Sequence, residues 1–245
     1  KLGNFEFSSG EGSVHRGEVV GVVGPNGTGK STMIKILAGE YEYDDGWVTN
    51  ESSVSYKPQH IDVDMDCSVQ LWLDSEIGNK WRSGEFNVNV IKALGVDQLI
   101  SKRVKKLSGG ERQAVSIAIC LGRDADLYLL DEPSAHLDAN ARMEAAKAIR
   151  RTMEANDKSA FVIDHDVYFI DILSDTLLVF DGEGGTYGKA EGPFRLREGM
   201  NRFLKGVNIT FRRDHDSKRP RINKNNSRKD REQQSSGDYY SFESR

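Results

Sequence analysis

The sequence predicts an α/β fold with a mostly parallel sheet, and three observations support this. Short apolar runs alternate with longer amphipathic stretches, as expected when parallel strands are buried on both faces and helices connect them. Hydrophobic residues make up 37% of the 245 residues, enough for a domain-sized core. A glycine-rich loop also lies directly between an apolar run and a helical pattern.

The predicted elements follow one another in a regular order. Buried strands are expected at Glu18–Val23, Leu127–Leu130, Ala160–Ile163 and Leu177–Phe180. Helices are expected at Ser31–Ala38, Gly110–Leu121 and Ala139–Ala155. Residues 69–104 lack such a strand and contain three glycine breaks, so they predict two or three helices of an inserted subdomain at about residues 65–125.

The C-terminal part differs in composition from the rest. Residues 193–205 predict a helix that Gly206 ends, and we place a boundary between a main α/β domain at 1–195 and a hinge and tail at 196–245. From Arg202 to Arg231 the chain has eleven Lys or Arg against three Asp, although the net charge is −4. Such a block is typical of a solvated surface and also of a nucleic-acid contact. Residues 225–245 are expected to be partly disordered unless a partner orders them.

The composition also indicates the cellular environment of the protein. No apolar run is long enough for a membrane span, so direct membrane insertion is not expected. Cys67 and Cys120 lie far apart and show neither metal-ligand spacing nor a disulfide framework, which favours a reducing, cytoplasmic location. Because the first residue is not Met, we expect the chain to be part of a longer protein.

The glycine-rich loop at residues 24–31 matches the phosphate-binding pattern G-x-x-x-x-G-K-[ST] in its required place between a strand and a helix. Its backbone N–H groups and the following helix N-terminus predict an anion site. Lys30 supplies a charge for the β- and γ-phosphates, the Ser31 hydroxyl is a Mg²⁺ ligand, and Thr32 contacts the α-phosphate. The expected ATP-binding residues are Gly24, Pro25, Asn26, Gly27, Thr28, Gly29, Lys30, Ser31 and Thr32.

Two acids end the second predicted strand, where parallel sheets place their ligands. Asp131 is expected to hold Mg²⁺ together with Ser31. Glu132, one residue later, is placed to accept a proton from the water that attacks the γ-phosphate. The two motifs together predict an ATPase.

The string Leu107–Glu111 (LSGGE), about twenty residues before the acidic strand, resembles the signature of ABC ATPases. The resemblance covers nearly the whole chain and implies an ABC-type P-loop cassette. It implies that Gln59 senses Mg²⁺ and the attacking water, that Ser134–Asp138 crosses to a partner module, and that His165 contacts the γ-phosphate. Gln59 is therefore an expected metal contact, together with Ser31 and Asp131. It is also an expected catalytic residue, together with Glu132 and His165.

The same resemblance implies that the signature serves a nucleotide held by a second module. Ser108 begins a helix with two following glycines, which would make a second anion site. Family geometry assigns that site to the partner's γ-phosphate, so ATP would join two modules head to tail. The residues expected to act in trans are Ser108, Gly109, Gly110, Glu111 and Asp138.

Four further strings resemble the C-terminal half of the ribosome-recycling ABC ATPases, the RNase L inhibitor family: residues 56–59, 131–135, 197–203 and 209–214. The last two lie outside the ATPase motifs. The resemblance implies a twin-cassette protein whose other ABC half completes the sites, and it implies ribosomal RNA as the partner of the basic hinge, through Arg212 and Arg213. It also implies a release factor as a further partner. Iron–sulfur clusters are expected only in another domain of the full protein.

Three points depart from this resemblance. Arg112 stands where an apolar residue is expected, and His136 where Tyr is expected. The aromatic that stacks on adenine is expected to precede this chain, although Phe5 and Phe7 lie near the phosphate loop in sequence.

Two other functions share most of these motifs. The ATPase subunit of an ABC membrane transporter would have every motif through His165, and residues 197–214 argue against it. A catalytically silent regulatory module is disfavoured because Lys30, Asp131, Glu132 and His165 are all present.

Overall fold

The computed structural model describes residues 3–48, 53–60, 66–213 and 220–241. The strands are β1 (Glu6–Ser9), β2 (Val19–Val23), β3 (Val54–Lys57), β4 (Leu127–Asp131), β5 (Ser159–Ile163), β6 (Thr176–Glu183), β7 (Tyr187–Arg195), β8 (Phe211–Arg213), β9 (Pro220–Ile222) and β10 (Tyr240–Ser241). The helices are α1 (Lys30–Leu37), α2 (Val69–Ile77), α3 (Gly84–Phe86), α4 (Gly109–Gly122), α5 (Ala139–Asn156), α6 (Val167–Leu173), α7 (Leu196–Gly206) and α8 (Arg228–Ser236).

The first seven strands form one sheet in the order β1-β7-β6-β2-β5-β4-β3. Every neighbouring pair is parallel except β6 and β7. The predicted α/β class and the four predicted strands are confirmed. The strands β3 and β7 were missed, because polar residues interrupt the apolar pattern of β3, and Gly and Pro interrupt that of β7.

Apolar side chains cover both faces of the sheet. Ile34 of α1 packs with Phe180 on one face, while Ile117 of α4 and Ile149 of α5 belong to the larger core on the other. Because β2, β3, β4 and β5 run parallel, the loops that follow them all emerge at the same edge of the sheet. That edge carries the candidate site.

The expected helical insertion is present. Residues 69–106 form α2, α3, single turns of 3₁₀ helix and a π-helical turn at Asn87–Lys92, and the predicted helical character is confirmed. Ser68 caps α2 by accepting a hydrogen bond from the Leu71 N–H at 3.2 Å.

The prediction of a helix from residue 193 was wrong at its start. Strand β7 continues to Arg195, because Phe194 pairs with Leu177 and Arg195 with Thr176 of β6. The helix α7 begins only at Leu196 and ends at Gly206. The hydrophobic periodicity of the sequence could not show that residues 193–195 belong to strand β7 rather than to the helix that follows.

The expected disorder of residues 225–245 was wrong for residues 225–241, and residues 242–245 lie outside the described part. Ser227 caps α8, and the buried Asp230 accepts a 2.5 Å hydrogen bond from Thr210 Oγ1. Tyr240 is also buried and stacks on Phe211 at 5.5 Å. A few buried contacts thus order a segment whose composition is almost entirely polar.

The C-terminal segment shares the core of the larger face. Met200, Leu204, Phe211 and Tyr240 belong to the same apolar cluster as the helices packed on that face. The boundary at residues 195 and 196 remains a prediction.

A buried carboxylate fastens the C-terminal strands to α6. The Asp171 side chain is 0% exposed, pairs with Arg213 Nη2 at 2.6 Å and accepts a hydrogen bond from the Tyr240 hydroxyl. Burial raises the pKa of the Asp171 carboxyl, while Tyr240 and Arg213 oppose that shift. The Arg213 guanidinium is therefore paired with a carboxylate inside the fold, and the expected contact of Arg212 and Arg213 with RNA remains a prediction.

Candidate nucleotide-binding site

Loops after β2, β3, β4 and β5 meet at the carboxyl edge of the sheet and line a cleft of about 480 Å³. The structure brings together most of the residues that the sequence predicted for one site. The cleft is lined by Phe5, Asn26, Gly27, Gly29, Lys30, Ser31, Thr32, Gln59, Glu132, Ile163, His165 and Gly185.

The phosphate loop turns sharply where β2 ends. Gly24 has a φ of 147°, and a Cβ there would lie 2.5 Å from the carbonyl oxygen of Phe180, so only glycine fits. Thr28 is buried, and its hydroxyl donates to the Pro25 carbonyl at 2.8 Å, which stiffens the loop. Gly29 offers no capping side chain to α1, so the first-turn N–H groups remain available for an anion.

Lys30 lies at the bottom of this loop and is 7% exposed. Its ammonium donates to the carbonyls of Gly24 at 2.9 Å and Pro25 at 2.7 Å. Burial lowers the pKa of Lys30, while the charges of Asp131 and Glu132 oppose the shift. The chain thus holds a cation where phosphate charge would arrive.

Asp131 has the features of a metal ligand. Its side chain is buried, and its Oδ1 has no hydrogen-bond partner in the part of the chain that the structure describes. Burial raises the pKa of the Asp131 carboxyl, and a hydrogen bond from Ser31 lowers it. An unsatisfied buried oxygen beside a serine hydroxyl fits Mg²⁺, which prefers such hard oxygen ligands.

Glu132 and His165 are in direct contact. His165 Nε2 lies 3.0 Å from Glu132 Oε1, and both side chains line the cleft. Glu132 has a φ of 48°, in the left-handed region that few non-glycine residues adopt. Gln59 lies at the rim of the same cleft, two residues after β3.

Asp164 links the loop of His165 to the predicted crossing loop. It is 5% exposed and accepts hydrogen bonds from the Ser134 N–H at 2.9 Å and hydroxyl at 2.7 Å, and from the Asp166 N–H at 2.9 Å. Burial raises the pKa of the Asp164 carboxyl against these donors. Sequence reasoning missed Asp164, although its place between a buried strand and His165 was a usable indication.

The signature residues do not line this cleft, as far as the described residues show. Ser108 and Glu111 form a reciprocal capping box at the start of α4, and Glu111 also pairs with Lys102 at 2.7 Å. A Cβ on Gly110 would lie 2.8 Å from the carbonyl oxygen of His136, so the crossing loop packs directly on the signature glycines. Asp138 caps α5 by accepting from the Ala141 N–H at 2.9 Å.

Phe5 is an aromatic side chain that sequence reasoning discounted. It lines the cleft, and a Cβ on Gly29 would lie 3.0 Å from its Cζ. Phe7 instead stacks on Phe180 at 5.6 Å, on the sheet. The tertiary structure therefore separates two phenylalanines that the sequence left equivalent.

Comparison with known proteins agrees with this geometry. The family model described as ABC transporter matches residues 8–135. The chain is 46% identical, over 98% of its length, to an uncharacterized ABC transporter ATP-binding protein of Methanocaldococcus jannaschii. It is 42% identical, over 97% of its length, to the translation initiation factor RLI1 of Saccharomyces cerevisiae. It spans 40% and 39% of the lengths of these two relatives.

A solved structure shows the same fold along nearly the whole chain. The complex of the archaeal ribosomal stalk protein aP1 with the archaeal ribosome recycling factor aABCE1 contains a chain 48% identical, with a TM-score of 0.94. The match covers 99% of this chain and 47% of that one, so it extends through the C-terminal strands and α8. The chain belongs to the ABC transporter family and, within it, to the RNase L inhibitor or ABCE1 group.

Proposed function

We propose that this chain binds ATP with Mg²⁺ and hydrolyses it at a site that a second ABC half of the same protein completes. The observation that carries the proposal is the contact of Glu132 with His165 at the edge of the cleft that Lys30 and Ser31 line. Phosphoryl transfer to water requires groups that position the water and balance the phosphate charge. The cleft supplies a carboxylate, an imidazole, a buried cation and an anion-binding helix end.

The residues have distinct roles in this proposal. Ser31 and Asp131 would hold Mg²⁺, with Gln59 at the rim, and the ion would supply positive charge to balance the phosphate oxygens. Lys30 contributes a further fixed charge in a buried position. Glu132 orients the attacking water and accepts its proton, while His165 holds the Glu132 carboxylate and faces the γ-phosphate.

The face of Phe5 offers a stacking surface for the adenine ring beside the phosphate loop. Stacking of a base on an aromatic ring contributes about 1–3 kcal/mol. Phe5→Ala should therefore weaken ATP binding about tenfold, whereas Phe5→Tyr should keep it.

The composite site follows from the position of the signature. Ser108, Gly109 and Gly110 begin α4 outside the cleft of their own chain, so they are available to a nucleotide held by another module. Glu111 acts by capping that helix and Asp138 by capping α5. The isolated chain should then hydrolyse ATP slowly.

We also propose that the full protein acts in the cytoplasm on ribosomes, and that a translation release factor is among its partners. ATP binding would close the two halves against the ribosome to separate its subunits, and hydrolysis would reopen them. The 48% identity to an archaeal ribosome recycling factor across 99% of the chain supports this, because a transporter subunit would not need to share the C-terminal segment. In the described ranges, no helix is long and apolar enough to cross a membrane.

The proposed ATP hydrolysis is tested with the variant Glu132→Gln in the full-length protein. This variant should bind ATP normally and hydrolyse it at least about 10²-fold more slowly, because the amide cannot accept the proton. Turnover at the wild-type rate would refute the role of Glu132, and equal loss of binding and turnover would indicate a misfolded site.

The ribosomal half is tested by cosedimentation with ribosomes, with and without a non-hydrolysable ATP analogue. Nucleotide-dependent binding supports the proposal, and its absence beside normal ATP binding favours the transporter alternative.

Lys224 and Arg231 are exposed basic residues of the tail. Replacing both by Glu should weaken binding and lower the salt slope by about 1 for each phosphate that is no longer neutralised. Lys92→Glu, an exposed charge in the helical subdomain, is the matched control.

A further inference from the structure

Two buried side chains that have no role in the proposal above hold the backbone of the proposed catalytic acid pair. Lys57 Nζ donates to the carbonyl oxygen of Asp131 at 2.9 Å, and Gln113 Nε2 donates to the carbonyl oxygen of Glu132 at 2.6 Å. The residues are 2% and 3% exposed. They come from different elements, β3 and α4, and reach two consecutive carbonyls of β4 and its following loop.

These carbonyls lie where regular sheet pairing ends. Strand β3 pairs with β4 only as far as Lys57 opposite Leu130, so the carbonyl of Asp131 lies beyond that ladder. On the other side, the Glu132 N–H still donates to the Ile163 carbonyl at 2.8 Å. The two side chains thus replace the missing strand neighbour at the point where the chain turns into the left-handed conformation of Glu132.

We propose that Gln113 and Lys57 are positioning residues that fix the Glu132 carboxylate for water activation. The inference rests on the proposed role of Glu132 in hydrolysis. A residue keeps a sparsely populated backbone conformation only when contacts with its neighbours enforce that conformation. At Glu132 these contacts are the two side-chain donors and the Ile163 carbonyl. A displacement of about 1 Å at a reacting group can cost on the order of 10²-fold in rate.

Gln113 also lies on the helix that carries the signature, one turn after Gly109. The helix that would contact the partner's nucleotide is therefore bonded directly to the backbone of this chain's own Glu132. Lys57 makes the equivalent bond from the strand that leads to Gln59, and it donates to the Pro58 carbonyl at 3.1 Å as well.

The test uses Gln113→Met and Lys57→Met in the full-length protein, since methionine is an unbranched side chain of similar length that has no hydrogen-bond donor. Each should lower kcat for ATP at least about tenfold, with KM and the affinity for a non-hydrolysable analogue changed less than about threefold. Lys57→Arg, which restores donors, should recover most of the rate. Gln113→Leu, which has no hydrogen-bond donor either, replaces Gln113→Met if that variant does not fold.

Two matched controls remove buried hydrogen bonds from the same elements without touching β4. Ser116 on α4 donates to the Arg112 carbonyl at 2.9 Å, and Ser55 on β3 donates to the Cys120 carbonyl at 2.8 Å. Ser116→Ala and Ser55→Ala should leave kcat within about twofold. A loss of kcat in these controls equal to that in the methionine variants would overturn the proposal.

A double-mutant cycle separates this inference from the proposed function. In a Glu132→Gln background, Gln113→Met should cause no further loss of kcat, because its effect passes through the Glu132 carboxylate. An additive loss would overturn the positioning role. If Glu132→Gln alone hydrolyses ATP at the wild-type rate, the proposed function fails; if it is inactive and both methionine variants keep full kcat, only the positioning role fails.

Discussion

His165 Nε2 lies 3.0 Å from Glu132 Oε1, and this contact joins the loop after β5 to the loop after β4. The two residues are 33 positions apart in sequence, and they meet because β4 and β5 are parallel neighbours whose carboxyl ends coincide. The imidazole is thus in place to orient the carboxylate before substrate arrives.

We expect His165→Ala to lower kcat about 10²-fold with little change in ATP affinity, because the carboxylate loses its orienting partner. His165→Gln should retain more activity, since its amide N–H can still reach Glu132. Steady-state kinetics together with analogue binding would check this. An equal loss of kcat in His165→Ala and His165→Gln would show that a hydrogen bond to Glu132 is not what His165 contributes.

Gly188 supports the phosphate loop from behind. A Cβ at this position in β7 would lie 1.8 Å from the carbonyl oxygen of Thr28. Gly188→Ala should displace the loop, lower the free energy of unfolding by about 1–3 kcal/mol and weaken ATP binding. Gly206→Ala, where a Cβ meets nothing within 4 Å, is the control and should do neither. Denaturant unfolding and nucleotide titration give both quantities, and normal binding by Gly188→Ala would contradict the expectation.

The carboxylate of Asp171 anchors the C-terminal strands. Asp171→Ala should destabilise the protein by about 3 kcal/mol, because the Arg213 guanidinium then stays partly buried with no carboxylate at this position to balance its charge. Tyr240→Phe removes only a hydroxyl and should cost about 1–2 kcal/mol. Chemical denaturation of the two variants measures this order, and the reverse order would show that the ion pair is not the main anchor.

The two thiols should react at very different rates. Cys120 is fully buried, and burial raises the pKa of its thiol to about 11, so at pH 8 only about one in 10³ molecules carries the reactive thiolate. Cys67 is partly exposed. Iodoacetamide at pH 8 should therefore add one group quickly and the second only after unfolding, as read by intact mass. Cys67→Ser should abolish the fast addition; comparable rates at both thiols would contradict the burial of Cys120.

Much of the site was predictable because its parts are local in sequence. The phosphate loop, the acidic end of β4 and the signature each depend on a few consecutive residues whose backbone conformation and hydrogen-bonding groups act together. The phosphate loop and the acidic pair also follow parallel strands, which was enough to predict that these two parts meet at one edge of the sheet. The expected disorder at residues 225–241 failed for the opposite reason, because composition does not record the buried contacts of Asp230 and Tyr240.

The sequence by itself therefore determined the α/β class, the family and the residues of the candidate site, since these follow from periodicity and from contiguous motifs. Tertiary structure alone decided that Phe5 rather than Phe7 faces the cleft and that Arg213 turns inward to Asp171. It also decided that Gln113 and Lys57 reach the acid pair, across 19 and 74 residues of sequence. Such contacts depend on how helices and strands pack against one another, and no pattern along the chain reports that packing.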